Sequence, residues 1–207
     1  MHKRICVRLP RLLPAVLLLA LMPLSVWAQD ASNDPEPAPQ AEQAEPADTY
    51  SQKEVMDAAR GFFGNVTEGL AKGVERVFQD LGEPVGYIAG EEVSGAIAVG
   101  LRYGQGSLNY KSGGQMPVYW TGPSIGFDLG GNASKVFTLV YDLERTADLF
   151  QRFPAVDGSY YFVAGVGVNY QRTDGITLAP IRTGVGLRAG ASIGYMNYTR
   201  KKTWNPL

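Results

Sequence analysis

The chain has 207 residues, with 19 basic and 20 acidic side chains, a single cysteine and a single histidine. Cys6 and His2 both fall within the first 28 residues, so everything downstream lacks thiol and imidazole. For that downstream part this excludes a disulfide, a cysteine nucleophile, a Ser-His-Asp relay and any Cys/His zinc or haem site.

Met1 to Ala28 reads as a secretory signal peptide. Lys3, Arg4, Arg8 and Arg11 form the charged region, and Leu12 to Val26 forms the apolar one. Val26-Trp27-Ala28 then offers small residues at the −3 and −1 positions, which predicts cleavage before Gln29. Cys6 precedes the apolar run and is not placed for lipidation. The expected destination is the periplasm. Residues 29–49 carry Pro35, Pro37, Pro39 and Pro46 among alanine, glutamine and acidic residues, a composition expected of a disordered acidic spacer. Removing the signal leaves 15 basic against 20 acidic groups, a net of −5, and six of the acids lie before Thr49. From Thr49 onward the balance is +1, too weak a field for nucleic-acid binding. No apolar run after residue 28 has the length of a transmembrane helix.

Two short helices are predicted next. Ser51 and Glu54 have capping-box spacing, and Val55, Ala58, Ala59 and Phe62 follow at helical intervals. A second start at Asn65 to Glu68 leads into Leu70, Val74, Val77, Phe78 and Leu81 on one face, with Gly82 at the stop. That stripe is expected to pack on a sheet.

From Val85 the hydrophobic period changes to two. Ile97 to Tyr103, Ser107 to Lys111, Val118 to Trp120, Ile125 to Leu129 and Val136 to Tyr141 read as strands. So do Tyr160 to Tyr170, Ile176 to Ala179 and Gly184 to Tyr195. Turn signals stand at Gly104, Gly113-Gly114, Gly130-Gly131-Asn132, Asp157-Gly158 and Asp174-Gly175. Glu144 to Arg152 is expected to hold one or two helical turns. The fold class is therefore mainly β: a small antiparallel β-barrel of about eight to ten strands with one or two N-terminal helices. Glycine inside a strand marks bending or close approach, which suits a small barrel. Its large-residue face either fills the lumen, lies under the helices or faces lipid.

Few motifs carry chemistry. Gly184, Gly186 and Gly190 are spaced one residue too long for a dinucleotide fingerprint and continue as a strand. Glu91 and Glu92, read at a turn, point to opposite faces and cannot flank one bond, so an exposed edge or a structural ion pair is expected. Arg102, Asp128 and Arg188 are lone charges on the small-residue faces of their strands, with Arg182 a further candidate. If buried they must pair, either as a structural clamp or around an anionic group. Trp120 is expected in the core or at a ligand cavity, its N–H partnered.

The runs Gly86 to Ala96, Gly100 to Gly106, Tyr119 to Asp128, Pro180 to Arg188 and the closing Thr203-Trp204-Asn205-Pro206 resemble the EipA family. The resemblance spans about Tyr50 to the end. It implies a small soluble periplasmic β-barrel of Gram-negative bacteria, with a helical N-terminal region and a part in maintaining the cell envelope. No catalytic residues are assigned in that family. Gly86 to Phe150 is also distantly similar to SYLF domains, which bind phospholipid, through Gly-Leu-Arg-Tyr-Gly-Gln-Gly and Pro-Ser-Ile-Gly. The function expected is binding without catalysis. Its partners would be lipid or other envelope components, and no cofactor or metal is required. Ligand-binding candidates are Arg102, Asp128, Arg188, Trp120, Phe127 and Leu101, with Leu139 and Phe162 as further lining of a lumen or groove. Two alternatives stay open: a small integral outer-membrane barrel, or an enzyme built on Asp128, Glu91, Arg102 and Tyr103.

Overall fold

The computed structural model describes residues 48–183 and 194–203, with the backbone alone along 95–99 and 124–132. The expected signal peptide, all but the end of the expected spacer, most of the strand expected over Gly184 to Tyr195, and Trp204 lie outside the described residues. Helix α1 (Gln52–Phe63) opens with the expected capping box: the Ser51 hydroxyl accepts from the Glu54 amide, and Glu54 accepts from the Ser51 amide. Helix α2 (Glu68–Leu81) is capped by the Thr67 hydroxyl and ends at Gly82 with φ 77°. Thr49, taken above as the last spacer residue, is tied down: its hydroxyl donates to Glu83, and the Tyr50 amide donates to the Pro84 carbonyl.

Among the described residues eight strands follow: β1 (Gly86–Tyr110), β2 (Gln115–Tyr141), β3 (Arg152–Pro154), β4 (Tyr161–Val163), β5 (Val166–Val168), β6 (Gln171–Thr173), β7 (Ile176–Thr183) and β8 (Tyr195–Thr199). A short 3-10 turn over Thr146–Leu149 precedes β3, in the stretch where helical turns are expected. All strand pairs are antiparallel.

β1 and β2 form one long ribbon, paired from Gly86↔Val140 to Asn109↔Gln115, with a single register shift between Ser94 and Ala96. The other edge of β2 takes β8 at 119–121 and β7 at 135–141. β3 pairs with β8, and both β5 and β6 pair with β7. An isolated bridge between Ala155 and Gln171 joins the end of β3 to β6, which closes the circuit β2-β8-β3-β6-β7 into a barrel-like wall. The ribbon also folds on itself: Gly90 and Gly106 sit so close that a Cβ on Gly90 would come within 2.7 Å of the Gly106 Cα.

Three expectations change. Gly104 and Gly130 to Asn132 are not turns but lie inside β1 and β2: Gly104 pairs with Trp120 and Asn132 with Ser94, while Gly130 and Gly131 fall at the register shift between Ser94 and Ala96. Glu91-Glu92 likewise lies within β1. The run Tyr160 to Tyr170 is not one strand: Ala164 and Gly165, at φ 45° and 85°, turn it back between β4 and β5. The turns at Gly113-Gly114 and Asp174-Gly175 form where expected, with positive φ at both residues of each pair.

Two apolar layers hold the domain. Ile88, Leu108, Val118, Trp120, Val136, Val140, Leu149, Phe153 and Leu178 fill the inside of the wall. Phe137, Leu139, Tyr141, Ala179 and Ile181, which alternate with inward residues, lie outside beneath Val55, Ala59, Leu70, Val74 and Val77 of the helices. The large-residue face of the last part of β2 is therefore covered by α1 and α2, while valines at intervening positions fill the interior. Full burial of each of these helix valines and leucines contributes roughly 1.5–3 kcal/mol.

Candidate functional site

At one end of the interior the apolar filling gives way to an ionic cluster. Glu92 of β1, Arg102 further along β1 and Arg182 of β7 are 3 %, 6 % and 5 % exposed. Alternation turns all three inward: Glu92 shares its face with Ile88, Arg102 with Leu108, and Arg182 with Leu178. One Glu92 oxygen lies 3.1 Å from Arg102 Nε and 3.3 Å from Arg182 Nε, while the other accepts from the Trp120 indole N–H at 2.9 Å. Arg182 Nη1 also donates to the Asn169 side-chain oxygen at 2.6 Å. Beside them the Tyr198 hydroxyl donates to Gln171. Burial alone would raise the Glu92 pKa. The charges of Arg102 and Arg182, with the hydrogen bonds from Trp120 and Arg182, outweigh it and hold the carboxyl below its ordinary value. Burial pushes the Tyr160 hydroxyl up despite the nearby arginines.

The ribbon's opposite face carries a cleft of about 170 Å³. Val93 and Ala133 line it from one half of the ribbon, Tyr103 and Tyr119 from the other, and Glu91 and Lys202 supply charge. Trp120 joins the two regions. Its ring reaches the cleft where Gly104 has no side chain, and a Cβ on Gly104 would stand 2.0–2.3 Å from the indole atoms. Val93 and Leu101 are large apolar side chains left exposed on this part of the ribbon.

Of the sequence candidates, Arg102 and Trp120 meet in one site, and Arg182 joins them. Glu91 and Glu92 split to opposite faces as their adjacency requires: Glu92 becomes the shared anion, a structural ion pair, and Glu91 lines the cleft. Asp128 and Phe127 lie on β2 opposite Ala96 and Ile97, but their side chains, and all of Arg188, fall outside the described residues. Leu101 does not line a lumen; it is 39 % exposed. Leu139 and Phe162 do not line one either. Leu139 is buried under the helices, and Phe162 is 52 % exposed because β4 is an end strand of the sheet. The interior such a lumen would need is filled by the inner core. Glu92 meets the structural-ion-pair expectation but stands outside the ligand candidates; its inward direction is signalled by its place four residues from Ile88, with even spacing between them. A second, polar hollow of about 550 Å³ beside Asp142, Arg145, Asp148 and Asp174 lies away from this cluster. Among the described residues no group of three or more His, Cys, Asp or Glu is placed to hold a metal ion.

A family model described as Envelope integrity protein A (EipA) matches residues 48–207. Among solved structures, the chain is similar to a beta-barrel-like, uncharacterized protein from Brucella abortus. The two are 46 % identical, with a TM-score of 0.71 over 78 % of this chain and 100 % of the other. No curated protein matches the chain.

Proposed function

Because the chain belongs to the Envelope integrity protein A family, its role lies with the cell envelope, and we propose that it serves there as a periplasmic binding protein, exported by residues 1–28, that takes up a lipid-like or other hydrophobic envelope component without catalysing a reaction. The observation that carries this reading is the cleft over Trp120. It combines an apolar lining, neighbouring exposed Val93 and Leu101, and a rigid floor, because the indole is fixed from behind by Glu92. Small-molecule sites are commonly concave, mostly apolar and largely preformed. The ionic cluster is the brace behind that floor.

Both alternatives fit less well. A membrane-spanning barrel presents an apolar outer band to lipid, whereas here the apolar outer face of β2 and β7 packs against two helices. The enzyme reading needs Glu91, Tyr103, Arg102 and Asp128 to converge; Glu91 and Tyr103 share the cleft, but Arg102 does not join them. Arg102 faces the interior, and Glu91 lines the cleft on the other side of the strand.

The test is native mass spectrometry of the chain purified from the envelope, together with uptake of a fluorescent fatty acid by wild type and by A133D, which puts a charge into the cleft. Co-purified amphiphile and uptake abolished in a folded A133D are expected. A ligand-free protein that takes up no probe, or uptake unchanged in A133D, overturns the reading.

A further inference from the structure

We propose that the component bound here is a glycolipid, whose sugar ring lies in the cleft against Tyr103, Tyr119 and Trp120, hydrogen-bonded by Glu91 and Gln105, and whose lipid portion stays outside against Val93 and Leu101. The inference rests on the cleft reading above and adds the class of ligand. The cleft holds about 170 Å³, below the roughly 300–1,000 Å³ of pockets that enclose a whole drug-sized molecule. It therefore takes one ring-sized part of a larger ligand. The lining selects the part. Glu91 and Lys202 bring opposite charges to it, so neither sign of ligand is favoured. Three aromatic rings line it, and ring faces, being electron-rich, attract the C–H groups that a sugar ring presents on its flat side. The hydrogen-bonding groups come from both halves of the ribbon. A Cβ on Gly90 would stand 2.3 Å from the Gln105 carbonyl oxygen, and this close crossing brings Glu91 and Gln105 to the same cleft. Gln105 also lies directly opposite Tyr119 in the strand pair. A carboxylate accepts, a carboxamide both donates and accepts, and a sugar hydroxyl can answer either. Among the described residues neither Glu91 nor Gln105 is tied up in another side-chain hydrogen bond, whereas Lys202 and Thr203 have partners of their own and are assigned none of these bonds. A hydrocarbon chain in the cleft would use neither Glu91 nor Gln105. Leu101 stands two residues before Tyr103 on the same face of β1, and Val93 lines the cleft; both are exposed. They offer the apolar contact that a lipid portion needs beside a cleft too small to enclose it.

The experiment is isothermal titration of the full exported chain, below micelle-forming concentration, with octyl glycosides of glucose, galactose, mannose and N-acetylglucosamine. The matching methyl glycosides, and octyl tetraethylene glycol, which has the chain but no sugar, are titrated alongside. Wild type, E91A/Q105A and a control, E75A/Q79A, which removes the same two side-chain types from exposed positions of α2, are compared. Wild type is expected to bind at least one octyl glycoside about tenfold more tightly than the glycol, since one hydrogen bond to a charged group is worth about that factor. The matching methyl glycoside binds roughly tenfold more weakly, for want of the chain. E91A/Q105A loses the preference for sugar and still binds the glycol, and E75A/Q79A behaves as wild type. Equal affinity for glycosides and glycol, or a sugar preference that survives E91A/Q105A, overturns the glycolipid assignment and leaves the cleft reading standing. A methyl glycoside that binds as tightly as its octyl form overturns it in favour of a free saccharide. No binding of any probe, with no lipid co-purified, overturns both.

Discussion

Glu92→Gln removes one negative charge from a dry site and changes almost nothing else in shape. The Trp120 N–H keeps an oxygen to donate to, but Arg102 and Arg182 lose the carboxylate that lies 3.1 and 3.3 Å from them. Breaking a buried pair by removing one partner typically costs about 3–5 kcal/mol, because a charge is left uncompensated where water cannot reach it. For a domain of this size that is a fall of roughly 6–20 °C in Tm. The cost depends on pH. Glu92 has a folded pKa below its ordinary value of 4.5, so its stabilisation is present above that value and is lost as pH falls through the folded one. E92Q should therefore be much weaker than wild type at neutral pH, and the gap should close in acid. Replacing the trio with apolar residues, E92L/R102M/R182M, should restore most of the loss, since a well-packed apolar substitute for a buried ion pair is commonly neutral or stabilising. Urea unfolding followed by tryptophan fluorescence, at neutral pH and through the acid range, measures all of these. A loss below about 1 kcal/mol in E92Q, or a gap independent of pH, refutes the reasoning.

Three further outcomes are expected. Gly104→Ala drives a methyl into the Trp120 ring and should cost about 1–3 kcal/mol in urea unfolding while blue- or red-shifting the indole emission. Leu70→Ala opens a cavity between α2 and the sheet and should cost about 2–5 kcal/mol, read as a lower urea midpoint; a loss near zero would mean that the helices do not clamp the outer face. The Glu54 carboxyl, held at about 2 chiefly by its hydrogen bond from Lys111 and then by Ser51, should move up toward its ordinary value in Lys111→Met. NMR titration of Glu54 checks this, and an unchanged midpoint would assign the shift to the capping box alone.

The helices were legible because their signals are local: Ser51 and Glu54 three apart, an apolar stripe, and a glycine at each stop. The turns at Gly113-Gly114 and Asp174-Gly175 were legible for the same reason, since positive φ is required on the spot. The length of β1 and β2 was not. Gly104 reads as a break in one dimension, but its bare backbone serves a ring sixteen residues away in sequence, Trp120, directly opposite it across the ribbon. Of the site, alternation and the cost of isolated buried charge marked Arg102 and Arg182 as needing a partner. Which carboxylate answers them depends on how the ribbon bends, a tertiary fact carried by no short window of sequence. The cleft was illegible for a related reason, being assembled from the two halves of one ribbon and the segment after β8. Membership of the envelope integrity family was legible from the spaced glycine, tyrosine and arginine runs.

The two longest strands also set an order of assembly. Their pairs near Gly113-Gly114 join residues only a few positions apart, whereas Gly86 and Val140 at the far end are separated by more than half a hundred. Loop-closure entropy makes the near pairs quick and the remote ones slow, so the hairpin zips from its tip. Native-state hydrogen exchange and stopped-flow refolding should find amides near Leu108 and Val118 protected first, and those of Ile88 and Leu139 only as the helices dock.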